Sequence, residues 1–403
     1  PPLRFLGISM STTSSVSIKR PRTVAHLVGY YAAFIGLGLM SAILGPTLPG
    51  LAAQTRTTLS EISVLFVAKS VGYIAGSLLS GRLYDRLPGH PILALAVLLS
   101  TTSLILIPFT PLLWVLFVVI LALGMAEAAI DVGGNTLLVW VFGEKVGPFM
   151  NGLHFMFGAG AAIAPLIVAQ VILLSGGITW AFWALALLVF PTALWAWRVP
   201  SPAAHAAARA AREDRINYVL VALVAAFFFL YVGAEVGFGS WVFTYATTLK
   251  LADEATAAYL TSAFWGALTA GRLLAIPVAA RLRPRAILTI DLLGCLLSVG
   301  LILGWADSAV AVWVGAGGLG LFMASVFPTT LTFVERRMTI TGGLTSLFFV
   351  GGSLGAMFLP WLIGQLFERI GPPVTMMTVF GALLLDAVVF VALMIYAPRR
   401  PQS

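Results

Sequence analysis

Long apolar runs alternate with short polar gaps along the 403 residues. Each run approaches or exceeds the roughly 20 residues that a helix needs to cross the hydrocarbon of a bilayer. The pattern predicts twelve helices, over 24–50, 60–81, 91–110, 112–140, 148–174 and 178–198, and then over 217–246, 256–280, 286–305, 309–334, 341–366 and 373–397. The longest polar gap, 199–216, is rich in Ala and carries Arg209, Arg212, Glu213, Asp214 and Arg215. It divides the helices into two sets of six. The expected organisation is a tail at 1–23, a bundle at 24–198, a linker at 199–216, a second bundle at 217–397 and a tail at 398–403. The fold class is an all-α membrane protein of two pseudo-symmetric six-helix bundles.

Composition removes the soluble alternative. Hydrophobic residues make up 60% of the chain and charged ones 9%, where a soluble domain carries about a quarter. A net charge of +8 could suggest nucleic acid, but its distribution points to a membrane. With the N-terminus in the cytoplasm, the inner loops and tails hold Arg4, Lys19, Arg20, Arg22, Arg82, Arg86, Lys145, Arg198, Arg209, Arg212 and Arg215. They also hold Arg281, Arg283, Arg285, Arg336, Arg337, Arg399 and Arg400, whereas the outer loops hold Arg56, Lys250 and Arg369. This alternation follows the positive-inside rule. It predicts a multi-pass protein of the cell (inner) membrane with lipid around it, both termini cytoplasmic and no nucleic-acid partner. Cys295 is the single cysteine, so an intrachain disulfide is excluded. Met10 is the expected native start, and no signal peptide is read before the first helix.

The halves repeat at an offset of 195 residues: Pro165 to Gln170 in helix 5 parallels Pro360 to Gln365 in helix 11. The loop after helix 2, Gly81 to His90, reads GRLYDRLPGH. It is similar to the signature loop G-x-L-x-D-R-x-G-R/K of the major facilitator superfamily, whose two parallel repeats open a midplane site to alternate sides. It departs at Pro88-Gly89-His90, one residue longer and with His in place of a strong cation. Gly81, Asp85 and Arg86 are the expected gating residues, with Gly81 allowing close packing and Asp85 facing a helix N-terminus. The plainer alternative is a tight turn with solvated charges.

Ionisable groups inside a span are expensive and become functional candidates. They are Lys69 in helix 2, Glu127 and Asp131 in helix 4, His154 in helix 5, Glu235 in helix 7, Arg272 in helix 8 and Asp386 in helix 12; Asp291 lies nearer the end of helix 9. Glu127, Asp131 and Asn135 are spaced four apart, so they form one polar stripe. Two carboxylates a turn apart and away from water do not both stay ionised cheaply. Lys69, a coupling Na⁺ held at Glu127 and Asp131, or a transported proton could compensate them. The structural alternative is a buried Lys69 pair that only locks the first half.

Asn151 and His154 share a face of helix 5. Helix 7 carries Tyr231, Glu235, Trp241 and Tyr245 among glycines and small residues. Aromatic rings beside carboxylates and amides suit a sugar, whose C–H faces stack while its hydroxyls hydrogen-bond. Asn135, Asn151, His154, Glu235, Trp241, Tyr245, Trp265 and Arg272 are therefore the candidate solute-binding residues. An interfacial aromatic belt is the alternative for Tyr245. The glycine-rich stretch Gly315 to Gly320 lies within a span with no strand before it, and no zinc motif or Walker lysine loop occurs, so ATP-driven pumping is not expected.

Several stretches resemble the sodium-dependent glucose transporter-like branch of that superfamily. They are Ala129 to Asn135, Gly147 to Gly158 and Tyr231 to Tyr245, with Gly45-Pro46-Thr47-Leu48 at the end of helix 1. The related fucose permeases share the V-G-x-E-x-x-x-G-S pattern and the Gly271-Arg272 pair. The resemblance implies import of a hexose-type solute by alternating access, coupled to Na⁺ or H⁺, with Asp131, Asn135, His154 and Glu235 lining the cavity. No other cofactor is expected, and the expected state is a monomer. The rival readings are a proton-coupled exporter of lipophilic compounds and, from another class, a membrane sensor or intramembrane enzyme. No catalytic constellation supports the last.

Overall fold

In hydrocarbon every backbone N–H and C=O must be satisfied within the chain, which leaves helices as the economical solution for runs this apolar. The computed structural model describes residues 20–203, 217–338 and 342–396. Twelve of its helical stretches are long and apolar enough to cross a membrane. Spans 1–6 are Thr23–Ala42, Leu59–Tyr84, Gly89–Phe109, Leu113–Phe142, Gly147–Ser175 and Thr179–Arg198. Spans 7–12 are Tyr218–Thr248, Glu254–Arg281, Pro284–Gly304, Ala309–Glu335, Leu347–Ile370 and Val374–Tyr396. Most of the predicted linker and both predicted tails lie outside the described residues. Large apolar side chains such as Leu95, Trp114, Leu187, Leu297 and Val310 cover the outside, as a lipid-facing surface requires. The protein is a multi-pass membrane protein.

Three predicted helices are broken, span 2 near its start at Ser63 and spans 1 and 10 deeper in. Span 1 stops at Ala42, and a separate helix, Leu44–Thr55, continues after Ile43. Pro46 has no N–H to offer the carbonyl four residues earlier, and Pro49 repeats the defect one turn on. Span 10 breaks between Met323 and Val326, just ahead of Pro328. Turn chemistry fixes other ends. Asp253 caps span 8 by accepting the Thr256 N–H at 2.7 Å, and that bond holds its carboxyl below the ordinary range.

The packing repeats. Span 2 lies on span 4, 1 on 5 and 3 on 6; in the second half 8 lies on 10, 7 on 11 and 9 on 12. Glycines set the closest crossings: a Cβ on Gly38 would sit 1.9 Å from the Phe157 carbonyl oxygen, and one on Gly355 would sit 1.9 Å from that of Phe229. Small residues matter here because lipid supplies no hydrophobic drive between helices, so contact itself must stabilise them.

The halves meet through spans 2 and 11 and spans 5 and 8. At one end the seam is tight. Gln365 donates to the Ser60 carbonyl at 2.9 Å and to Ser63 Oγ at 3.2 Å, and accepts from Ser60 Oγ at 3.1 Å. Leu59 N–H donates to Glu368 at 2.9 Å, and Gln170 donates to Tyr259 at 2.5 Å. Gln170 and Gln365 are the matched residues of the 195-residue repeat, and each ties its half to the other. Towards the opposite end, where Arg20 and Tyr396 lie, Asn151 and His154 are exposed. Polar side chains at that depth need water rather than lipid, so the cleft between the halves opens at that end.

Candidate functional site

Spans 2 and 4 are in backbone contact: a Cβ on Gly72 would lie 2.1 Å from the Leu121 carbonyl oxygen, and one on Gly124 would lie 2.2 Å from that of Lys69. Lys69 and Tyr73 are four apart on span 2, as are Glu127 and Asp131 on span 4, so the four side chains face each other as two rungs. Lys69 Nζ lies 3.0 Å from Glu127 Oε1, and the Tyr73 hydroxyl donates to Asp131 Oδ2. Ser41 Oγ reaches Glu127 Oε2 at 3.5 Å. Asn135 Nδ2 donates to Asp131 Oδ1 at 2.8 Å and to its carbonyl at 2.9 Å. The Glu127 side chain is 2% exposed and that of Lys69 17%. The carboxylate is therefore fixed in the core while its counter-ion is partly exposed. Removing either partner of such a pair leaves an uncompensated charge, a loss of roughly 3–5 kcal/mol when both are buried.

The polar groups continue across the seam. His154 lies within electrostatic reach of Asp131 on one side and Arg272 on the other. Arg272 Nη1 donates to the His154 carbonyl at 3.5 Å. Beyond Arg272 come Glu235 and its neighbour Tyr231, whose hydroxyl donates to the Met323 carbonyl at 3.0 Å. Asp131, His154, Arg272 and Glu235 thus lie in succession within electrostatic reach across the seam, a carboxylate of each half with an imidazole and a guanidinium between them. Asn151 lies one turn from His154 towards the open end.

Other expected site residues are placed apart from this line. Trp241 is fully buried, donates to the Pro360 carbonyl at 2.9 Å and stacks on Phe367, with Phe66 of the other half at 6.3 Å. It packs the closed end. Tyr245 is buried further out, within reach of Asp307 in the loop after span 9. Trp265 sits against Phe264 and Gly239, and its buried indole N–H has no hydrogen-bond partner among the described residues. At the open end nothing lies within 4 Å of a Cβ built on Gly81, and Asp85 and Arg86 are exposed. The close approach expected at Gly81 is absent from this conformation. His90, the oddity of the loop, is buried; it bonds to Tyr30 at 2.8 Å and to the Val199 carbonyl at 2.7 Å, tying spans 1, 3 and 6 together. Among the described residues no three His, Cys, Asp or Glu side chains gather as metal ligands.

Sequence reasoning missed Tyr73, Ser41 and the latch role of Gln170 and Gln365. Tyr73 carried a signal, being one turn from Lys69 on the same face. Ser41 carried none, because its role depends on where span 1 breaks.

Two parallel six-helix bundles, closed at one end and open at the other, with facing charges buried between them, define a two-lobed transmembrane carrier. The comparisons agree. Residues 30–355 match the Major Facilitator Superfamily. Sodium-dependent glucose transporter 1A of Mus musculus is 30% identical, over 89% of this chain and 94% of its own. Sodium-dependent glucose transporter 1 of Homo sapiens is 31% identical, over 89% and 77%. Major facilitator superfamily domain-containing protein 4A of Mus musculus is 26% identical, over 90% of both chains. The crystal structure of a point mutant of the nucleoside transporter NupG superposes with a TM-score of 0.73 at 15% identity, over 92% of this chain and 99% of that one, and shares the fold. The chain belongs to the Major Facilitator Superfamily; it is a transporter and not an enzyme.

Proposed function

We propose that the protein is a secondary active transporter of a hexose-type sugar, moved by alternating access and coupled to Na⁺ or H⁺. The observation that carries this reading is the polar line Asp131–His154–Arg272–Glu235, which spans the seam at the depth where a solute must be handed from one half to the other. Asn135 and Asn151 supply amide groups beside it, suited to hydroxyls, and the indole N–H of Trp265, unpartnered among the described residues, is a further donor. Glu127 and Asp131 handle the coupling cation, with Lys69 as counter-charge. The names of the glucose-transporting relatives support the choice of sugar. A polar seam argues against an exporter of lipophilic compounds, whose cavity would be mostly apolar.

Both termini lie in the cytoplasm, the orientation in which Lys and Arg concentrate in the inner loops. The tight seam through Gln365, Glu368 and Gln170 is then the outer gate, and the structure is inward-open. Opening the other way would break these bonds and bring the Gly81, Asp85 and Arg86 loop against its neighbours. The chain works as a monomer.

In reconstituted vesicles, labelled D-glucose uptake is expected to rise under an inward Na⁺ or proton gradient and to be displaced by other hexoses. Uptake indifferent to both gradients, or displacement by hydrophobic cations but not by sugars, would overturn the proposal.

A further inference from the structure

Lys69 does more than neutralise Glu127. Span 1 ends inside the membrane, so the carbonyls of its last turn form the C-terminal end of a helix, which carries roughly half a negative charge. Lys69 Nζ is bound there, 3.2 Å from the Met40 carbonyl oxygen and 3.4 Å from that of Ser41. With Glu127 Oε1 at 3.0 Å as its ion-pair partner, three oxygens lie around the ammonium. The Ser41 hydroxyl completes the rim on Glu127 Oε2. Main-chain carbonyls at a helix break, a carboxylate and a hydroxyl form the all-oxygen set with which broken transporter helices coordinate Na⁺.

We propose that the carbonyls of Met40 and Ser41, the Ser41 hydroxyl and Glu127 form a monovalent-cation site that the protein's own Lys69 ammonium occupies in this conformation, and that Na⁺ competes with Lys69 for it. Ammonium and Na⁺ carry the same charge, so exchange leaves Glu127 compensated. The exposure of Lys69 gives its displaced head a path into the aqueous cleft. Asp131 keeps its own donors, Tyr73 and Asn135, during the exchange. Lys69 is thereby a specificity-setting residue: a tethered cation at high effective concentration weakens free Na⁺ by competition. The proposal deepens the coupling role given above to Glu127, and its tests need neither sugar nor gradient.

The first test uses the unmodified protein in lipid nanodiscs in choline buffer, with an amine-acylating reagent and modification at Lys69 read by mass spectrometry. Added NaCl is expected to raise labelling of Lys69 severalfold over equal choline chloride, while labelling of Lys250 is unchanged. Labelling of Lys69 insensitive to Na⁺ would overturn the proposal. The second is binding of radioactive Na⁺. Lys69→Met is expected to bind at least about tenfold more tightly than the unmodified protein, and Lys69→Met/Glu127→Gln to lose that gain. Lys69→Gln, which keeps an amide donor for Glu127, serves where Lys69→Met does not fold. Equal affinity in all forms, or tight binding retained without the Glu127 carboxylate, would overturn it. Na⁺ binding of this form together with uptake blind to both gradients would leave the site standing and remove the coupling reading.

Discussion

Each half of the molecule breaks one helix inside the membrane and binds the exposed carbonyl end with a side chain from another helix, but the two do so with different chemistry. In the first half the break after Ala42 is met by an ammonium, Lys69, paired in turn with Glu127. In the second half the break after Met323 is met by the Tyr231 hydroxyl, and Ser325 within the break donates to Asp291. One break is held by a partly exposed charge and the other by neutral donors. The buried acid of the second half sharpens the contrast: Asp386 is 0% exposed and neither carboxyl oxygen has a partner among the described residues. A bare carboxylate there would lack any compensation for its desolvation. In the proposed transporter the first half would handle ions and the second would supply a wall with Arg272 and Glu235 at its edge.

The largest expected effect breaks the charged rung. Glu127→Ala leaves Lys69 without its carboxylate and is expected to cost about 3 kcal/mol, the low end for a buried pair because Lys69 is partly exposed. Its thermal midpoint in detergent and its yield should fall sharply, and Lys69→Met/Glu127→Ala should recover much of both. A double variant no better than the single would mean that the pair is not what stabilises the first half. Next comes the seam. Gln365→Leu removes three hydrogen bonds between the halves, about 2 kcal/mol in all, or about thirtyfold in the closed-to-open ratio of the outer gate. Spin labels at Leu174→Cys and Glu254→Cys, on the outer ends of spans 5 and 8, should report a longer-distance population; an unchanged distribution would remove Gln365 from the gate.

Much of the fold was legible because membrane physics is severe: spans must be long and apolar, and loop charge sorts by side. The breaks in spans 1 and 10 were hidden, although Pro46, Pro49 and Pro328 announced them, because unbroken apolar runs masked the local signal. The rung of Glu127, Asp131 and Asn135 was legible from its four-residue spacing. Its partners were only half legible: Lys69 stood out as a charge in a span, whereas Tyr73 looks like any membrane aromatic. Trp241 and Tyr245 were expected at the solute from chemistry that suits a sugar, and in this conformation both rings are buried, Trp241 in the closed seam and Tyr245 further out. Composition tells what a ring can bind; only packing tells what it does bind.

Smaller effects test the neutral half. Tyr231→Phe removes the donor to the Met323 carbonyl and is expected to cost about 1 kcal/mol, seen as a modest fall in thermal midpoint with expression retained. Asp386→Asn keeps the shape without a charge and is expected to change stability by less than about 0.5 kcal/mol. A large loss in Asp386→Asn would mean that the acid is ionised and compensated, and would erase the contrast between the halves.

The most direct measurement compares Asp131→Asn with the unmodified protein in vesicles, following labelled D-glucose both as concentrative uptake under Na⁺ and proton gradients and as exchange without a gradient. Accumulation is expected to be lost in Asp131→Asn while exchange persists, because the amide still accepts the Tyr73 and Asn135 hydrogen bonds in the solute line whereas the titratable or cation-binding carboxylate is gone. Accumulation in Asp131→Asn equal to that of the unmodified protein would contradict the assignment of coupling to the first half.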